Sequence, residues 1–107
     1  MSSFDKRQEG FEKKFALDEE QKFKAEVRRN KLLGLWAAEK LGLTGDAATA
    51  YSKEVVAADF EQAGDKDVQD KVVKDLTDKG VAVTAAEVRA KMDELMAVAA
   101  VQVKTGT

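Results

Sequence analysis

The sequence predicts an all-α protein, a small four-helix bundle with a mobile amphipathic N-terminal segment, and three observations carry that expectation. The 107 residues contain no proline, where average usage of roughly 5% would supply about five. Proline removes a backbone donor and clashes with the preceding turn, so a chain without it suits long uninterrupted helices. Apolar residues recur at helical spacing in successive stretches. Between those stretches stand glycines and a capping sequence, placed where helices would stop and start. The length fits one domain with a single core.

Residues 1–31 hold nine Lys/Arg and seven Asp/Glu. Acid-to-base pairs four apart, Glu9 with Lys13, Asp18 with Lys22 and Glu20 with Lys24, support an exposed helix by a few tenths of a kcal/mol each, roughly. At 100° per residue Phe4, Phe11 and Phe15 fall within about 40° of one another, a narrow aromatic stripe on a charged rod. Phe23 and Val27 lie on another azimuth, so the stripe breaks phase and the first fifteen or so residues need not pack where the rest do. Gly10 costs a helix about 1 kcal/mol relative to Ala. The sequence therefore divides into a segment 1–17, flexible when free, and a bundle 18–107.

The stretch from Asn30 to Leu41 is apolar around most of its circumference and is expected at the centre of the bundle, with neighbours on two sides. Gly42 followed by Leu43 reads as a glycine stop with an apolar residue folding back. Thr44-Gly45-Asp46 offers cap residues for a second helix to about Gln62, with Tyr51, Val55 and Ala58, and Val56 and Phe60, at helical spacing. A third helix near 66–79 points Val68, Val72, Val73 and Leu76 inward. It would place Asp67 with Lys71, Asp70 with Lys74 and Asp75 with Lys79 on its outer face. Gly80 stops it. Thr84-Ala85-Ala86-Glu87 is a capping box, with Val83 and Val88 as its hydrophobic staple. Val88, Met92, Leu95, Met96, Ala99 and Val103 carry the fourth helix. Seventeen of the apolar residues are Ala, so the core is expected to be thin.

Composition excludes much chemistry. Without Cys or His the chain has no disulfide, thiol nucleophile, imidazole base or zinc-finger ligation. Asp65 to Asp70 begins like a calcium loop, but Asp70 and Leu76 stand where Gly and Glu belong. The glycines match no phosphate-binding fingerprint. Ser52 lacks an evident base. Asp18-Glu19-Glu20 reads as a solvated face. No metal, cofactor or enzymatic activity is expected. Arg28-Arg29-Asn30-Lys31 is the densest basic patch and could meet phosphates, yet the net charge is −2 and no aromatics interleave it, so nucleic acid is not the expected partner. Trp36 reads as core, and Gly34 as a place where another helix approaches. The aromatic stripe keeps two readings: docking on the protein's own bundle, or binding a partner's groove and folding as it binds. No apolar run approaches the ~20 residues of a membrane span, and Met1 to Asp5 lacks the regions of a signal peptide. A cytoplasmic protein is the expectation.

Phe4-Asp5-Lys6-Arg7, Phe11-Glu12-Lys13-Lys14-Phe15-Ala16, Phe23-Lys24-Ala25-Glu26 and the block from Arg28 to Gly42 around Trp36 resemble the α-proteobacterial zeta subunit of the F-type ATP synthase. The resemblance spans the chain and is strongest over residues 4–60. It implies a non-enzymatic inhibitor of ATP hydrolysis. The N-terminal segment would become helical as it enters a catalytic interface between the α and β subunits near the γ rotor. By motif position the implied partner-binding residues are Phe4, Arg7, Phe11, Glu12 and Phe15. The resemblance further implies a protein that is monomeric when free, peripheral to the inner membrane when bound, and open to weak ATP or ADP binding by the bundle. A small adenine-nucleotide-binding regulator acting through the bundle is the alternative reading. Two departures matter. Leu17 stands where relatives often carry a His, so histidine-dependent pH control is not expected, and Gly10 should weaken inhibition by about fivefold unless bound contacts offset it.

Overall fold

The computed structural model describes residues 17–61 and 65–106. The described residues form four helices: α1 (Glu19–Lys40), α2 (Gly45–Glu61), α3 (Asp65–Asp78) and α4 (Ala85–Thr105). Among the described residues there is no strand, and the all-α four-helix expectation holds.

Each helix end is fixed by local chemistry. The Asp18 side chain accepts the Gln21 N–H at 2.7 Å while the Gln21 side chain accepts the Asp18 N–H at 3.2 Å, a reciprocal cap that satisfies two otherwise orphaned donors. Asp18 is thus the residue that starts α1 and not a partner of Lys22 on an exposed face; Glu19 and Glu20 follow in the first turn, where acids favour the helix dipole. At the other end Gly42 adopts φ +79°, its N–H donates to the Glu39 carbonyl and that of Leu43 donates to the Ala38 carbonyl. The same pair of bonds recurs where Gly80 donates to Thr77 and Val81 to Leu76, so both expected glycine stops are Schellman motifs. Thr84 caps α4 by accepting the Glu87 N–H at 3.1 Å. The expected box is only half formed there, because the Glu87 carboxylate meets the Thr84 hydroxyl.

α1 packs against both α2 and α4, and α3 closes the ring against α2 and α4, which gives α1 the central place its all-round apolar sequence called for. Leu33, Ala37 and Ala38 of α1 join Tyr51, Val55, Val68, Val72, Leu76, Val88 and Met92 in one buried cluster. The alanines leave little side-chain volume between helices, so the core is as thin as composition implied. Val73 and Leu95 are only partly buried beside it. Trp36 also sits at the edge of the core instead of inside it, with the ammonium groups of Lys40 and Lys91 over its ring at 5.1 and 5.7 Å. The indole packs its body on the bundle while its face meets two cations.

Gly34 is where α1 and α2 come together. A Cβ placed on it would lie 2.5 Å from the Ser52 Cα and 3.3 Å from a Val55 methyl. The expected close helix approach is therefore present. Ser52 is itself buried and its hydroxyl donates to the Thr49 carbonyl at 2.7 Å, a bond that ties it down as a helix residue.

Ion pairs on α3 run opposite to the expected order. Lys71 pairs with Asp75 and Lys74 with Asp78, each at 3.0 Å. Asp75 is already held by the Tyr51 hydroxyl at 2.8 Å, and Lys71 lies over the Tyr51 ring at 5.4 Å. The cross-helix tyrosine thus draws both groups together in place of their neighbours one turn away.

Candidate functional site

A groove of about 940 Å³ runs along the outside of α1. Its apolar lining comes from Val27, Leu32 and Leu35 of α1, Val56 of α2 and Val103 of α4. Its basic lining is Lys24, Arg28, Lys31 and Lys53. Phe23 lines the end nearest the start of α1 and is 53% exposed. Among the described residues, the two helices flanking α1 leave this part of its surface uncovered. Arg28 helps set one wall by donating to the Gln102 side chain across 3.4 Å, which links α1 to the last turns of α4.

The basic patch from Arg28 to Lys31 is not one surface. Arg28 and Lys31 face the groove, whereas Arg29 and Asn30 are buried at 4% and 0% exposure. Arg29 donates to the Asn30 side-chain oxygen at 3.0 Å and to Asp65 at 2.9 Å, and Arg89 approaches the same carboxylate at 3.7 Å. The Arg29 hydrogen bond is the main reason that the Asp65 carboxyl is held below its ordinary value, with the charges of Arg29 and Arg89 acting in the same direction against partial burial. This hub joins α1, α3 and α4. It also breaks up the patch as a phosphate-tracking surface, because its central guanidinium is spent inside the protein. Asn30 Nδ2 finds no partner among the described residues.

Other sequence motifs resolve as structure. Asp65 opens α3 and its carboxylate serves Arg29, so the calcium-like run forms no loop. Among the described residues no three acidic side chains come together as a metal site, and no described helix is long and apolar enough to cross a membrane. Phe4, Arg7, Phe11, Glu12 and Phe15 lie outside the described residues, as does the boundary expected at 17 on its N-terminal side. Sequence reasoning did not find the groove. Its only sequence signal was that Phe23 and Val27 leave the azimuth of the aromatic stripe.

A family model for ATPase inhibitor subunit zeta matches residues 1–102. The chain belongs to that family. The zeta match includes the whole aromatic N-terminal stretch, the first three helices and α4 as far as residue 102. A chain whose structure was determined in solution by NMR is 58% identical, with a TM-score of 0.69, and the aligned region covers 79% of this chain and 96% of that one. The search of curated proteins finds no match. Membership of the zeta family agrees with the resemblance carried by the phenylalanine motifs and the block around Trp36.

Proposed function

We propose that this zeta-family chain is a regulatory, non-enzymatic inhibitor subunit of the F-type ATP synthase that blocks ATP hydrolysis with its N-terminal segment. The observation that carries the reading is that the family match begins at residue 1 and so includes Phe4, Arg7, Phe11, Glu12 and Phe15. In this mechanism residues 1–17 enter a catalytic interface between α and β near the γ rotor and fold as a helix there. Phe4, Phe11 and Phe15 then bury their rings as a single stripe, while Arg7 and Glu12 set register through charge pairs. Inhibition is mechanical, which suits a chain without Cys or His.

The bundle, residues 18–107, anchors the segment and folds without it. The reciprocal cap at Asp18 supports that division, because it gives α1 a start of its own. The free protein is a cytoplasmic monomer that becomes peripheral to the membrane through its partner.

The deciding experiment adds the full-length chain, and a variant lacking residues 2–16, to the catalytic sector of the synthase. The full chain should suppress hydrolysis and the truncated one should not, while its helical signal persists. Unchanged hydrolysis at a concentration where binding is verified would remove the inhibitor reading. Equal inhibition by the truncated chain would remove the role of the segment.

One observation favours the second reading, adenine-nucleotide binding by the bundle: the groove sets lysines and an arginine beside an apolar floor. Titrating ATP against amide resonances tests it, and saturable shifts confined to the groove are the result it requires.

A further inference from the structure

We propose that the groove along α1 docks an acidic amphipathic helix of another protein, one that carries carboxylates beside an apolar stripe. This goes beyond the function proposed above and does not rest on it.

Charge comes first. The net charge of the chain is −2, yet the groove gathers Lys24, Arg28, Lys31 and Lys53, and no carboxylate is among its lining residues. Elsewhere in the bundle, cations that face a neighbouring helix are matched: Arg29 and Arg89 meet Asp65, and Lys71 approaches Glu54 at 3.9 Å. The groove cations have no such acid across a helix interface among the described residues. Arg28 reaches the neutral Gln102 side chain, Lys24 meets Glu20 on an exposed flank of its own helix at 3.2 Å, and Lys31 and Lys53 are exposed. Like charges set side by side repel one another, and an incoming row of carboxylates removes that repulsion.

Spacing then selects a helix. At 100° per residue Lys24, Arg28, Lys31 and Leu35 fall within about 60° of one another on α1, one per turn over about 16 Å. A helix laid alongside repeats its side chains with the same period, so acids at i, i+4 and i+7 meet this row in register. Half-buried Val27, Val56 and Val103 give an apolar floor drawn from three helices, where a stripe of leucines can be buried. A triphosphate calls for cations gathered about one point, and these are strung along successive turns. A flat bilayer would touch the rim of a concave groove and not its floor.

Two occupants made of this chain fit less well. Residues 1–16 hold four basic and three acidic side chains, and a second copy turned groove to groove presents the same cations. The contact is short, about three turns of helix, so it belongs with weak and transient interactions. Its strength is selectivity, because a basic helix is rejected by like charge.

The probe is a synthetic alanine-based helix of about 18 residues, long enough to overlie the groove, with leucines on one stripe and glutamates along its flanks. Added to the isotope-labelled full chain, it should give saturable shifts of the Lys31, Val56 and Val103 amides, while the same peptide with lysines in place of glutamates gives none. Lys31→Glu combined with Lys53→Glu, at exposed positions, should weaken the acidic peptide about tenfold and admit the basic one. Leu35→Glu, also exposed, is the second variant and should weaken the acidic peptide while its helical signal is unchanged. Raising ionic strength from about 0.01 to about 0.15 M shortens the screening length from about 30 to about 8 Å and should loosen the native complex. No shift with the acidic peptide, equal binding of both peptides, or shifts away from the groove overturns the proposal. So do shifts of these amides on raising the protein concentration alone, which make the occupant a second copy. Saturation by ATP, or binding to phosphatidylglycerol vesicles, where the acidic peptide gives no shift makes the groove a nucleotide site or a lipid surface and overturns it too. Inhibition of hydrolysis is read in its own assay, so the function proposed above and this docking can each fail alone.

Discussion

Gly34 on α1 and Ser52 on α2 hold their helices so close that one added carbon does not fit: a Cβ on Gly34 would stand 2.5 Å from the Ser52 Cα. That obstacle is backbone, so relief requires the helices to separate. Gly34→Ala gains about 1 kcal/mol of helix propensity, but overpacking at a close helix contact costs about 1–3 kcal/mol and opens the adjacent core around Val55. The expected outcome is net destabilisation, read as a lower urea midpoint. A variant as stable as the native chain would mean that the two helices are not held together here.

The Arg29–Asp65 hub gives a pH dependence with a definite sign. The Asp65 carboxyl is held below its ordinary value of 3.8, first by the Arg29 hydrogen bond. Its contribution to stability is therefore present above that ordinary value and is lost as pH falls through the lower folded one. Asp65 is 38% exposed on its side chain, so solvent screening keeps the contribution to about 1 kcal/mol. Asp65→Asn should lower stability near neutral pH by that order and flatten the fall in acid. Parallel stability curves for the two chains between about pH 6 and about pH 3 would show that the hub contributes nothing through charge.

The parts of this fold that were legible in the sequence are those decided within one turn. Gly42 and Gly80 stop helices because the chain must reach positive φ there, and Thr84 caps α4 with a residue three places on. Gly34 was legible because a small residue interrupts an otherwise bulky apolar azimuth. Asp18 was hidden by its own neighbourhood, where regularly spaced acids and bases made a continuous exposed helix the natural reading. Arg29 and Asp65 lie 36 positions apart, so nothing local marked Arg29 as buried and Arg28 as a groove residue. Asp75 faces a tyrosine 24 positions away, which redirected an ion pair that local spacing assigned elsewhere. The groove draws on three helices, and only their packing brings its members together.

Tyr51 provides a second pH test at the opposite end of the scale. Burial is the main cause that pushes its hydroxyl above the ordinary value of 10.0, and the hydrogen bond to Asp75 adds to it. For a proton held more tightly in the fold, stability is fully present below the ordinary value and is lost as pH rises beyond it. Because Tyr51 is the sole tyrosine, phenolate absorbance reports it alone. The expected titration is silent through the ordinary range and rises only with loss of helical signal. Tyr51→Phe should cost about 1–2 kcal/mol by leaving Asp75 short of a donor. Phenolate appearing at the ordinary value in a fully helical protein would contradict the buried contact.

Gly10 sets how much order the N-terminal segment must gain when it inhibits. In a segment that becomes helical only in the synthase, Gly10→Ala removes about 1 kcal/mol of ordering cost and should tighten inhibition about fivefold. The half-inhibitory concentrations of the native chain and the variant give that ratio directly. Equal values would show that position 10 is not helical when the segment inhibits.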